Sequence, residues 1–250
     1  MSQSLDRSLQ ILDVLEAGPQ RLGEIAEAVG VHKSTALRSL QVLERHGYVR
    51  REGDVPRFTL GLRMLELASR VLERLDLRDV ARDNLLGLAA TTGETVHLAT
   101  LSGDSITYLD KAESRHAVRM YSRVGGRAPA YCTGLGKVLL AYLPVEQWPQ
   151  LHQQRFTPNT ITDREELLAE AARIREAGWG VDEREHEETI RCIAAPVFDQ
   201  HGVAVAAVSI SVPTTRMSVD DLHAYVPKLL AATDDVSRQL GYRGVDCRAS

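Results

Sequence analysis

Four side chains between residues 34 and 45 have the types and spacing to read base edges. Ser34, Arg38, Gln41 and Arg45 are spaced i, i+4, i+7 and i+11, which lines them along one helical face, while Ala36, Leu37, Leu40 and Leu43 take the opposite face. One face packs and the other is free. Further along, Thr133-Gly134-Leu135-Gly136-Lys137 could hold bare N–H groups and a helix dipole against a carboxylate, or could serve only close backbone packing. Ser209 and Ser211 alternate on one face of the apolar stretch Val203 to Val212, where each hydroxyl needs either a backbone partner or a ligand. Asp182, beside a strand, is a candidate for a pocket, and the rest of the run Glu183 to Glu188 reads as solvated loop. Cys192 within a strand reads as a small buried hydrophobe.

Several other chemistries lack their pattern. A phosphate loop needs glycine at 131 and Ser or Thr at 138, where Tyr131 and Val138 stand, so nucleotide hydrolysis is rejected. Cys132, Cys192 and Cys247 lie 60 and 55 positions apart, which is neither a zinc spacing nor a disulfide ladder. No metal or other cofactor is expected. His97, Cys132 and His186 have no nucleophile elbow or His-Glu-x-x-His pattern around them, so no catalytic residue is expected either.

The elements that must position these residues follow from periodicity. Leu5, Leu9, Leu12 and Leu15 form an inward stripe of a first helix stopped by Gly18-Pro19. A second helix runs from Gly23 to Val29, a third from Lys33 to His46, and Gly30 between them suits a sharp turn. Tyr48 to Arg51 and Arg57 to Leu60 flank Glu52-Gly53-Asp54 as a basic-tipped hairpin, the wing of a winged helix-turn-helix. From Leu62 to Leu77 a linker helix carries Leu65, Leu72 and Leu75 on one edge.

Beyond it the texture is α/β. Strands are expected at Thr95 to Leu101, Ile106 to Lys111, Val118 to Val124, Trp179 to Arg184, Ile190 to Phe198 and Val203 to Val212. Helices are expected at Thr133 to Leu143, Val145 to His152 and Asp163 to Ala177, the last with Thr162 and Glu165 as a capping box. A final helix from Ser218 to Leu240 carries Pro227 as a kink.

The chain of 250 residues has 30 Lys plus Arg against 34 Asp plus Glu, a formal charge of −4, yet residues 30–63 hold seven basic and three acidic residues and are +4. That local reversal fits a polyanionic partner. No apolar run approaches the ~20 residues of a membrane span, and no secretion signal follows Met1, so a cytoplasmic protein is expected.

The chain resembles the isocitrate lyase regulator (IclR) family over residues 4–242. The marks are Leu22-Gly-Glu-Ile-Ala26, Lys33-Ser-Thr-Ala-Leu-Arg38, Gly47-Tyr-Val, Gly134-Leu-Gly-Lys-Val-Leu-Leu-Ala141 and Arg191-Cys-Ile-Ala-Ala-Pro196. The resemblance implies an α+β chain: a winged helix-turn-helix DNA-binding domain at 1–62, a linker and dimerisation helix at 63–80, and a GAF-like effector-binding domain at 81–250. It implies an effector pocket of Met120, Gly134, Leu135, Asp182, Ile190, Cys192, Ser209 and Ser211. Lys33, Ser34, Thr35, Arg38, Gln41 and Arg45 are expected at DNA, with Arg50, Arg51 and Arg57 of the wing on phosphate. The expected function is an effector-responsive repressor, a homodimer or homotetramer on palindromic double-stranded operator DNA that senses a small organic acid. The alternatives are a DNA-binding scaffold that senses nothing, and a small-molecule enzyme.

Overall fold

The computed structural model describes residues 3–53, 55–72, 76–117 and 120–244. The chain divides into two compact units, 1–75 and 76–250.

The first unit contains α1 (Gln3–Glu16), β1 (Gln20–Arg21), α2 (Leu22–Ala28), α3 (Lys33–Arg45), β2 (Val49–Glu52), β3 (Arg57–Leu60) and α4 (Arg63–Leu72). Its small core is Ile11, Leu15, Ile25, Leu40, Leu43, Val49 and Phe58. The turn between α2 and α3 runs through Gly30 at φ +70, with Val31 N–H donating to the Ala26 carbonyl at 2.9 Å. The hairpin gains a third strand, in the order β1-β3-β2. In α1 the expected stripe is only half buried: Leu15 is inside and Leu12 packs against the core, whereas Leu5 and Leu9 are 62% and 53% exposed and Ile11, outside the stripe, is buried. The core is too short to cover the N-terminal turns of that helix.

The second unit contains α5 (Leu77–Thr92), β4 (Thr95–Ser102), β5 (Ser105–Ala112), β6 (Arg127–Pro129), α6 (Gly134–Ala141), α7 (Arg164–Ala177), β7 (Gly180–Glu183), β8 (Ile190–Phe198), β9 (Ala204–Pro213), α8 (Val219–His223) and α9 (Val226–Gln239). Its six strands form one antiparallel sheet in the order β6-β5-β4-β9-β8-β7. Residues of β9 alternate between two cores. Ala207 joins Leu135, Val138, Leu139, Ala171 and Ile174 of α6 and α7 on one face. Ala206, Val208, Ile210 and Val212 join Leu85 and Leu88 of α5 and Leu229 and Val236 of α9 on the other.

Several sequence expectations are corrected. No strand forms over Met120 to Val124; that stretch is irregular, β6 begins after the Gly125-Gly126 turn, and Val118 and Arg119 lie outside the described residues. Val145 to His152 yields one 3-10 turn, Val145–Gln147, after Pro144. Asp163, not Thr162, caps α7, its carboxylate accepting from Glu165 and Glu166 N–H at 2.8 and 3.0 Å. The last helix is broken, not kinked, because Pro227 falls in the first turn of α9, where its missing N–H costs nothing. The 62–77 helix ends sooner: α4 is described to Leu72, and Asp76 caps a separate helix, α5, that the periodicity did not reveal. Asp54 in the wing turn and Glu73, Arg74 and Leu75 lie outside the described residues, as does Cys247.

Candidate functional sites

On α3 the burial follows the helical period. Ala36, Leu40 and Leu43 are buried, while Lys33, Ser34, Arg38, Gln41 and Arg45 are exposed and Thr35 is half-buried. His32 caps the helix, its Nδ1 accepting from Ser34 N–H at 3.3 Å and lying 2.9 Å from Ser34 Oγ. Ser34 is therefore partly engaged in starting the helix. The wing arginines differ from one another. Arg50 pairs with Glu52 at 2.5 Å, and Arg51 pairs with Glu44 of α3 at 3.0 Å while lying over the Phe58 ring. Arg57 is exposed and makes no ion pair among the described residues. One residue of this surface was missed: Val42, 48% exposed, four positions after Arg38 on the same side of the helix. An apolar group there suits the 5-methyl of thymine.

In the second unit all eight residues expected in a pocket line a single narrow cavity that opens to solvent. Strand alternation assembles its floor. Ser209 and Ser211 of β9 face the same way, opposite Ala194 and Cys192 of β8, and Asp182 of β7 stands opposite Cys192. The start of α6 closes one side: a methyl group on Gly134 would lie 3.5 Å from Asp182 N and 3.6 Å from Cys192 Cβ. The Gly134 and Leu135 N–H groups, in the first turn, have no acceptor within the helix. Thr133 Oγ1 caps that helix through Gly136 N–H at 3.2 Å. Both sequence readings of the glycine-rich start find a residue. Gly136 serves packing, since a Cβ there would meet Ala130 Cα and carbonyl oxygen at 2.3 Å, whereas Gly134 meets nothing closer than 3.5 Å and borders the cavity.

The two serines are not equivalent. Ser211 Oγ receives the Cys192 thiol at 3.1 Å and lies 3.3 Å from His97 Nδ1, whose Nε2 lies 2.8 Å from Ser122 Oγ. Ser209 Oγ, in a residue 1% exposed, has no hydrogen-bond partner among the described residues. Full burial, with the nearby Lys111 charge, pushes His97 down to about 3, so it is a neutral core imidazole. Burial, with the Asp182 charge, holds Cys192 as a thiol well above its ordinary range.

Asp182 is 4% exposed, and burial is the main cause that pushes it up to about 7; the nearby Glu185 charge adds to this, while Glu185 N–H, donating to Oδ1 at 2.7 Å, pulls the other way. Tyr108, Thr133, His186 and Glu187 complete the walls and were not assigned to them from sequence. Tyr108 could have been found from the alternation of β5. His186 and Glu187 could not, because the Glu183 to Glu188 run looks uniformly solvated; in the fold Glu185 is buried, which corrects that reading. Lys137, 2% exposed, ion-pairs with Glu185, and the hydroxyls of Thr157 and Thr160 bind the Arg184 and Glu185 carbonyls at 2.6 Å each. These anchors draw the loop in and turn His186 and Glu187 toward the cavity. No cluster of three potential metal ligands occurs among the described residues.

Residues 4–53 match the IclR helix-turn-helix domain and residues 69–238 match the family described as bacterial transcriptional regulator IclR C-terminal. The HTH-type transcriptional regulator KdgR of Escherichia coli is 41% identical over 96% of this chain and 94% of that protein. The transcriptional repressor IclR of the same organism is 31% identical over 97% and 91%. Among solved structures, Thermotoga maritima IclR is 35% identical with a TM-score of 0.64, covering 97% of this chain and all of that one.

Proposed function

Because the chain belongs to the IclR family of bacterial transcriptional regulators, and is therefore a DNA-binding regulator and not an enzyme, we propose that it is a repressor whose grip on palindromic operator DNA is set by a small organic acid bound at the cavity lined by Ser209 and the start of α6. The observation that carries the effector half is the unpartnered Ser209 hydroxyl, buried in the wall of a cavity that also receives the N-terminus of α6. A buried hydroxyl without a partner costs about 1–3 kcal/mol, which a ligand oxygen would offset. Met120, Leu135, Ile190 and Cys192 give apolar or soft walls to the carbon skeleton. The helix start receives the carboxylate, and the wall, with Asp182 and Glu187 as its carboxyl groups and no described lysine or arginine, offers no counter-charge to a second one. A hydroxy monoacid therefore fits better than a dicarboxylate.

Calorimetry with glycolate, lactate and glycerate, and with malate as the dicarboxylate, tests this. At least one monoacid should bind and shift operator affinity about 5- to 150-fold, which corresponds to a coupling of about 1–3 kcal/mol between pocket and DNA. Ser209→Ala with Ser211→Ala should weaken that binding. An acid that alters operator affinity yet binds the double variant unchanged would place the pocket elsewhere.

The same reading has the chain act in the cytoplasm, where operator DNA is found, as a homodimer or homotetramer. Two-fold symmetry would set two copies of α3 on a palindrome. Leu62 and Leu65, exposed on and just before α4, support self-association, and the side chains of Leu72 and Leu75 lie outside the described residues. No helix among the described residues is long and apolar enough to cross a membrane. Sedimentation at micromolar concentration should give at least twice the 27.6 kDa of one chain. A clean monomer would overturn the two-fold operator arrangement.

A further inference from the structure

Among the described residues, the cavity proposed above to take an organic anion has no lysine or arginine in its wall. Its described charged groups are of the wrong sign: Asp182 and Glu187 both border it, and among the described residues of its wall only His186 could be a cation, disfavoured as such because burial pushes it down. The ammonium of Lys137, in the helix that borders the cavity, is held by Glu185 and by Glu170 at 3.5 Å. Arg191, next to Cys192 in β8, is turned to the other face and forks Glu183 at 2.7 Å. A carboxylate placed at the first turn of α6 would sit beside Asp182, whose backbone nitrogen lies 3.5 Å from where a Gly134 methyl would be. Two anions in so enclosed a space repel strongly, and the helix dipole offsets only about half a charge. Asp182 can instead carry a proton. Its carboxyl accepts from Glu185 N–H at Oδ1 and also from His186 N–H, and once protonated it still has one O–H to donate.

We propose that this pocket binds its organic acid as an anion hydrogen-bonded by a neutral Asp182, so that each anion bound draws one proton from solvent onto that carboxyl. The proposal rests on the reading of the cavity as an organic-acid site. It gives Asp182 the role of a specificity-determining group: a donor to a carboxylate, whose protonation is driven by a bound anion and not by a neutral alcohol or a cationic amine. The groups packed around Asp182 act in both directions. Glu185 of the β7–β8 loop disfavours its charge, Lys137 of α6, already shared, and the backbone N–H groups of Glu185 and His186 favour it, and His186 and Glu187 border the same cavity. Tyr108 of β5, Cys192 of β8 and Cys132 before α6 are all pushed up by burial and stay neutral. With Asp182 up to about 7, the carboxyl is mostly ionised at pH 8 and mostly protonated at pH 6, so the proton must be taken up at the higher pH and is already present at the lower.

Titration calorimetry of the full chain with glycolate, lactate and glycerate, in phosphate and in Tris, counts the protons from the dependence of the heat on buffer ionisation. Uptake should approach one proton per anion at pH 8 and fall toward none at pH 6, with binding about tenfold tighter at pH 6. Asp182→Asn, which keeps an acceptor for Glu185 N–H, should abolish both the uptake and the pH dependence. His186→Gln should leave the uptake in place. Binding at pH 8 without proton uptake, or uptake lost in His186→Gln but kept in Asp182→Asn, overturns the inference and leaves the organic-acid site standing. No binding by any of the three acids overturns that reading and the inference with it.

Discussion

Replacing Lys137 by methionine is expected to destabilise the C-terminal unit by about 3–5 kcal/mol, because it leaves a buried carboxylate without its counter-charge. The ammonium is 2% exposed and ion-paired to Glu185, with Glu170 at 3.5 Å, and the second Glu185 oxygen already lacks a partner. Methionine fills similar space, so the loss is electrostatic rather than a cavity. The sign with pH follows from Glu185, whose pKa burial raises even with the lysine in place. Without the lysine it rises further, so the folded chain keeps its proton to higher pH than the unfolded chain does. Stability lost by the variant should therefore shrink as pH falls through the carboxylate range. Urea unfolding at pH 7.5 and 5 reads this directly, and Glu185→Leu added to the variant should restore most of the loss. An equal loss at both pH values, with no restoration, would make Lys137 a packing residue only. The consequence reaches the pocket, because Glu185 anchors the loop that carries His186 and Glu187.

Arg38→Ala should weaken binding to the specific operator by about 1–3 kcal/mol and hardly change binding to random DNA, because a guanidinium on a base edge carries sequence information. Arg57→Ala should weaken both equally and lower the slope of log affinity against log salt by about one, as removal of one phosphate contact does. Arg50 and Arg51, which enter the comparison already paired with Glu52 and Glu44, should change that slope less. Affinity measured for each variant on both DNAs over a salt series separates the two roles. Equal losses for Arg38→Ala on both DNAs would move that side chain from base to phosphate.

The winged unit was legible because its signals are local. Gly30 marks a turn, Ala36, Leu40 and Leu43 repeat with the helical period, and the same period that buries them exposes Arg38, Gln41 and Arg45. Charge counted by segment found the basic surface that the whole-chain total hides. What failed there failed for a tertiary reason: Leu5 and Leu9 have the pattern of a buried stripe but no core above them. Val42 was overlooked because an exposed valine looks like any other until the helix face is placed.

In the C-terminal unit the sequence alone determined the alternation that sets Ser209 and Ser211 on one face and the helix start at Gly134, while the family resemblance pointed to Asp182, Cys192, Ile190, Leu135 and Met120. Only the tertiary structure decided how these groups are used. Strand order brings β8 and β9 together, so Cys192 and His97 occupy Ser211 and leave Ser209 unpartnered. The contact between Lys137 and Glu185 spans 48 positions, and it draws in the polar loop between β7 and β8 so that His186 and Glu187 join the wall of the cavity. Burial then gives Asp182 a proton near neutral pH. Periodicity along a chain reports which face a residue takes, because that depends only on backbone geometry. The partner a polar group finds, and the charge it keeps, depend on what distant segments are folded against it.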